Sequence, residues 1–155
     1  CSPEKEGLHA YGYGEEHGGK SGNNVASLLM KYLEDRGFLD GTTKRKCLNV
    51  VMDNCAGQNK NNYVLRLAPY LVEKGVFQEV RFIFLVVGHI KNVADRLFNI
   101  LKRLYRIKNT FTMGMMSEAM KHELTIPYVV DWQVFNHLVK YLNRIYQTHM
   151  SPVKN

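Results

Sequence analysis

The sequence predicts an α/β fold with a largely parallel sheet and flanking helices. Three observations carry this expectation. Residues 48–52 and 80–87 are short, nearly continuous apolar runs of strand length. The stretches between and after them repeat their apolar residues at helical spacing. The resulting order is strand, helix, strand, helix, strand, helix and a helical extension, the alternation that parallel sheets with crossover helices produce.

The first candidate strand spans residues 8–13, where Tyr11 and Tyr13 favour extension and Gly12 weakens it. A Gly-rich loop follows over residues 14–22. Asn23 or Asn24 can then cap a helix whose inward stripe is Val25, Leu28, Leu29, Tyr32 and Leu33, and Gly37 stops it. Residues 48–52 read as a strand buried on both faces. Val64, Leu67, Ala68, Leu71 and Val72 make the next helix, closed by Gly75, with a kink or break expected at Pro69.

Residues 80–87 are the second buried strand. Asn92 can cap a long helix with Ala94, Leu97, Phe98, Leu101, Leu104 and Tyr105 on one stripe. A looser segment with Met113, Met115 and Met116 leads to a short helix over residues 117–124. Asp131 caps a last helix with Phe135, Leu138, Val139, Leu142 and Ile145 inward. No repeat or linker divides the chain.

A length of 155 residues suits one domain with a real core. Hydrophobic residues make up 45%, which argues against disorder throughout. Lys and Arg number 21 against 14 Asp and Glu, a formal +7 that suits a polyanionic partner. Three widely spaced cysteines (Cys1, Cys47, Cys55) form no CxxC pair and point to a reducing compartment. No apolar run approaches the roughly 20 residues of a membrane helix, and no signal peptide is visible. The first residue is Cys and no pattern begins before Leu8, so the expectation is a piece of a longer reading frame.

Chemistry concentrates where the two apolar runs stop. Asp53 follows Val50-Val51-Met52 directly, which suits either a rigidly held metal ligand or an Asp that closes the next turn. The run Gly57-Gln58-Asn59-Lys60-Asn61-Asn62 tips the balance toward a ligand site: amides and a lysine are poor core material but good at holding phosphates. Asp95 lies near the start of the next long helix, 42 residues on, and the intervening helix and strand return the chain to the same sheet edge. An acid in a first helical turn is also simply favourable there. Two carboxylates at one strand end repel unless a cation joins them, and Mg²⁺ or Mn²⁺ is the expected occupant. His89 can position a scissile phosphate or donate a proton, or serve the loop structurally. Lys91 and Asn92 can contact a nucleic-acid backbone. Lys102, Arg103, Arg106 and Lys108 form a basic strip, either a solvated face or a nucleic-acid track.

Residues 14–21, Gly-Glu-Glu-His-Gly-Gly-Lys-Ser, match GxxxxGK[ST] and offer a P-loop nucleotide site as the main alternative. Glu15 and Glu16 would face the triphosphate, and Gly22-Asn23-Asn24 is a poor first turn for the helix that must carry Lys20 and Ser21. That reading also leaves residues 58–62 and 88–95 without a role. A zinc site drawn from Cys47, Cys55, His9, His17 and His89 lacks ligand spacing.

Asp53-Asn-Cys-Ala-Gly-Gln-Asn-Lys-Asn61 and Gly88-His-Ile-Lys-Asn-Val-Ala-Asp95-Arg-Leu-Phe98 resemble the paired motifs of a eukaryotic transposase-like family, much of it known only as domains of unknown function. Ser21-Gly-Asn-Asn-Val-Ala-Ser27 is similar to the stretch ahead of that family's Asp motif. The resemblance covers roughly residues 10–105, and Ile90 stands where Thr is more usual.

The resemblance implies an RNase H-like three-layer fold of the DDE/DDD transposase type, truncated at its N-terminus. Residues 8–108 would form the core and 109–155 a helical C-terminal extension of the same domain. Asp53 would be the second acid and Asp95 the third; the first would lie upstream, and residues 8–13 would be the third strand of the fold. It further implies two Mg²⁺ ions in the intact parent, metal-dependent DNA cleavage and strand transfer, a nuclear location and a possible homo-oligomer. The catalytic set is then Asp53, Asp95 and His89, with DNA held by Gln58, Asn59, Lys60, Asn61, Lys91, Asn92, Lys102, Arg103 and Arg106. The piece in hand would not cleave alone. A domesticated relic that binds DNA or a protein without catalysis is the second reading.

Overall fold

The computed structural model describes residues 8–16, 20–40, 45–85, 99, 102–103, 106–107, 111–121 and 125–129. The elements in order are β1 (Leu8–Gly12), α1 (Gly22–Asp35), β2 (Arg45–Asp53), α2 (Asn62–Glu73), β3 (Phe77–Leu85), α3 (Met113–Met120) and β4 (Thr125–Val129). The α/β class holds, and both strand pairs are parallel. The chain groups into two compact units, one of residues 1–17 and 89–131, the other of residues 18–88 and 132–155.

The second unit carries the Asp53 motif. β2 and β3 pair from Arg45↔Phe77 to Asp53↔Leu85, joined by α2 as a parallel crossover demands. Alternation divides the pair into two faces. Leu48, Val80 and Phe82 pack with Leu33 of α1 and Leu67 and Leu71 of α2 in one cluster. Leu33, Leu67 and Leu71 are wholly buried, each removal from water contributing about 1.5–3 kcal/mol. Phe38 stands edge-on to both Tyr32 and Phe77, with ring centroids 6.4 and 6.3 Å away.

The opposite face departs from the expectation of strands covered on both sides. Val51 is 50% exposed and its register partner Ile83 43%. Asn49, Arg81 and Glu79 share this face. A run such as Val50-Val-Met52 reads as continuous apolarity, yet its odd and even positions meet different surroundings. Arg81 grips Glu79 through Nε and Nη2 at 2.6 and 2.8 Å. Hydrogen bonding to that carboxylate, more than its charge, raises the guanidinium pKa above its usual value.

The two described helices of this unit, α1 and α2, end alike. Gly37 and Gly75 adopt φ of +67° and +69°, the left-handed region that a side chain disfavours. The Phe38 N–H then donates to Leu33 O and the Val76 N–H to Leu71 O, each bond reaching back over the last turn. Pro69 does not interrupt α2, which runs unbroken from residue 62 to 73. Pro69 and Leu65, whose carbonyl loses its usual donor, are both exposed, so water can replace the missing bond.

In the first unit β1 pairs with β4, from Leu8↔Thr125 to Gly12↔Val129, and α3 packs against β4. Among the described strands β1 pairs with β4 and β2 with β3. β4 was not expected; Pro127, which lacks an amide donor, weakens the strand pattern there. The short helix begins at Met113 rather than residue 117, because the Thr112 hydroxyl accepts from the Met115 N–H at 3.2 Å and caps it there. The described positions 99, 102, 103, 106 and 107 are helical. The last helix, over residues 131–145, lies outside the described residues.

Candidate functional site

Asp53 is the last residue of β2, as the end of the apolar run predicts. Its carboxylate is oriented by the loop it introduces. Oδ1 accepts from the Cys55 N–H at 3.0 Å and from Asn59 Nδ2 at 2.6 Å. Asn59 Nδ2 also lies 3.4 Å from Asp53 O, and the amides of Asn59 and Lys60 both donate to Cys55 O at 2.8 and 3.0 Å. The turn-closing use of Asp53 is thus realised. It leaves Oδ2 with no hydrogen bond from a described residue, on an exposed side chain. A carboxylate so held presents one oxygen in a fixed direction, which suits a hard divalent cation as a single ligand.

The amide run divides its labour. Asn61 caps α2: its Oδ1 accepts from the N–H groups of Tyr63 and Val64 at 3.0 and 3.2 Å, while its Nδ2 donates to Gln58 O at 2.8 Å. Both lone pairs of Oδ1 are therefore used within the loop, and Asn61 keeps one amide hydrogen for any other contact. Gln58 and Asn59 are half-buried and Lys60 is exposed. The Lys60 ammonium stands 5.9 Å from the Phe84 ring centroid, next to the strand end that faces Asp53 across the sheet. Phe84 pairs with Met52, so its ring and the Asp53 side chain lie on opposite faces of the strand pair.

The same end of the unit receives a second helix terminus. Gly22, the first residue of α1, lies against the Asn61 carboxamide. The helix start differs from expectation, since Ser21 rather than Asn23 or Asn24 occupies the cap position. Its hydroxyl does not cap the turn and instead donates to Asn24 Oδ1 at 3.1 Å. Asn24 is only 4% exposed, and Ser27, whose Oγ donates to Asn23 Oδ1 at 3.3 Å, only 2%. Polar burial at a helix start was invisible to periodicity, which scores apolar stripes. The available signal was the pair Asn23-Asn24 beside Ser21.

Residues 7–154 match the family model described as Domain of unknown function (DUF7869). The chain belongs to that family. No curated protein and no solved structure matches it. In this DUF7869 member Asp95, His89, Lys91 and Asn92 lie outside the described residues. Lys102 is half-buried and Arg103 and Arg106 are exposed, within the unit of residues 89–131. Among the described residues no three His, Cys, Asp or Glu side chains converge on a metal position, and Cys47 and Cys55 are free. No helix among them is long and apolar enough to cross a membrane.

Proposed function

We propose that this chain is part of an RNase H-like DDE/DDD transposase core, whose intact parent cleaves and joins DNA with Mg²⁺ or Mn²⁺ in the nucleus. The observation that carries the reading is the carboxylate of Asp53. It sits at the carboxyl end of a parallel strand, the end where such sheets bind ligands, and is held by two donors on Oδ1 with Oδ2 left over. A divalent ion supplies Lewis-acid activation of a water or a 3′-hydroxyl and stabilises the leaving oxygen when bound. Asp53 and Asp95 would be its ligands in this chain, completed by an acid upstream. Asn59 fixes the Asp53 carboxylate; Gln58, Lys60, His89 and Lys91 would contact the DNA strand.

Two measurements test this. Mn²⁺ added to the protein should broaden the NMR signals of Asp53 and Asp95 together, and Asp53→Asn should abolish that effect. A protein extended upstream should nick DNA with Mg²⁺ and lose nicking with Asp53→Asn or Asp95→Asn. Nicking that survives both substitutions would eliminate the assignment.

The turn-closing bonds of Asp53 favour one other reading, a relic in which the loop persists as structure and the protein binds DNA or a partner without catalysis. Salt-sensitive DNA binding indifferent to Mg²⁺ would mark that case.

A further inference from the structure

We propose that Arg103, Arg106, Ile107 and Phe111 form a surface that binds single-stranded DNA, with Phe111 stacking on an unpaired base. The inference rests on the proposed transposase function for the kind of polymer. It goes beyond that function in the form of the strand and in the side chains that grip it, and it needs neither a metal nor Asp53.

Ile107 is 82% exposed and Phe111 83%. The other exposed large apolar side chains among the described residues stand at 50% or less. Half-exposed apolar residues are ordinary on a protein surface. A phenyl ring almost wholly in water, four residues after an isoleucine in the same state, forfeits far more burial. Local structure gives that ring no task. Phe111 precedes Thr112, the cap of α3, and an apolar residue there commonly staples onto the fifth residue after it, here Met116. An exposure of 83% leaves the ring little contact of that kind. α3 buries Ala119 and Met120 instead.

The charge around these residues is one-sided. Between Asp95 and Glu118 the sequence holds no acid, but it holds Arg96, Lys102, Arg103, Arg106 and Lys108. Glu118 itself is paired with Lys121 at 2.5 Å. Arg103 and Arg106 are exposed, and no described carboxylate pairs with either. Arg103 and Ile107, both helical and four residues apart, share a face. The chain from Ile107 to Phe111 spans at most about 14 Å, so one strand of a few nucleotides reaches both.

A partner for this surface is anionic and carries flat apolar faces. A single strand offers phosphates to the guanidinium groups and unpaired bases to the ring. A duplex keeps its base faces inside the stack. An anionic membrane meets the charge, but interfacial anchoring uses a helix with a whole apolar face. The outward residues of α3, Gly114, Met115 and Glu118, do not make one.

The test uses the whole 155-residue protein in EDTA, so that metal binding does not enter. A short fluorescein-labelled oligothymidylate, its duplex with oligodeoxyadenylate, and vesicles of phosphatidylserine and phosphatidylcholine are titrated separately over a range of salt. The single strand should bind more tightly than the duplex. Phe111→Ala should weaken single-strand binding about 5- to 150-fold, the effect of one stacked base, and leave the salt dependence and the melting temperature unchanged. Phe111→Trp should bind as tightly as the unaltered protein, which a loss through misfolding would not allow. Arg103→Gln and Arg106→Gln should each reduce the slope of log K against log salt by about 0.7. Single-strand binding that ignores Phe111→Ala, duplex binding of equal strength, binding to vesicles alone, or no binding at all would each overturn the proposal. Mn²⁺ broadening at Asp53 and Asp95 decides the catalytic reading separately, so either can fail alone.

Discussion

Gly22 and Asn61 occupy touching positions: a methyl group on Gly22 would overlap the Asn61 carboxamide. That carboxamide is the cap of α2, so the first residue of one helix bears on the group that starts another. Gly22→Ala should therefore act through Asn61 and cost about 1–2 kcal/mol, comparable with losing an N-cap. Asn61→Ala alone should cost about 1 kcal/mol. The double variant should cost clearly less than the two together, since removing the carboxamide makes room for the methyl. Additive losses in urea denaturation would show that the two residues act separately.

Glycine has different duties at three other positions. Gly37→Ala and Gly75→Ala should each cost about 1–2 kcal/mol, because both adopt positive φ. A Cβ on Gly75 meets nothing, so its loss is purely conformational. Gly57 has neither a positive φ nor a neighbour within 4 Å of an added Cβ. Gly57→Ala should leave stability unchanged or raise it by about 0.4–1 kcal/mol. If Gly57→Ala lowers DNA affinity at unchanged melting temperature, the bare backbone at that position serves a ligand.

Structural and chemical uses of Asp53 can be separated. Asp53→Asn keeps an oxygen able to accept from Cys55 and Asn59, so it should lose no more than about 1 kcal/mol. Asn59→Ala removes one donor and should cost about 1 kcal/mol. Denaturation curves check the stability of each. Under the proposed function, Asp53→Asn loses Mn²⁺ binding completely while Asn59→Ala only weakens it.

The covered and open faces of the β2–β3 pair should respond unequally. Leu67→Ala or Leu71→Ala should cost about 2–5 kcal/mol, since both side chains are wholly buried in one cluster. Val51→Thr and Ile83→Thr, on half-exposed positions, should cost under about 1 kcal/mol each. Losses as large as those of the leucines would mean that the open face is covered in solution.

How much of this was legible in residue order differs by element. The stops of α1 and α2 were readable because Gly37 and Gly75 punctuate clear helical stripes, and left-handed geometry selects glycine locally. Asp53 was placed at its strand end because the apolar run breaks there abruptly. β4 was not readable, since Pro127, which lacks an amide donor, weakens the strand pattern of residues 125–129. The cap of α1 was misassigned to the neighbouring asparagines. Ser21 holds the position without using its hydroxyl for it, which no propensity anticipates.

Residue order by itself determined the α/β class, the parallel sense of the pairing, the ends of two helices and the candidate acid, because each follows from interactions within a few residues or from apolar period. Tertiary structure decided which strands share a sheet, which face of β2 and β3 meets the helices, and that the starts of α1 and α2 touch at Gly22 and Asn61. Those are contacts between residues far apart in the chain. Their partners are selected by packing and by backbone bonds still unsatisfied after local structure has formed, and neither quantity is carried by a local pattern.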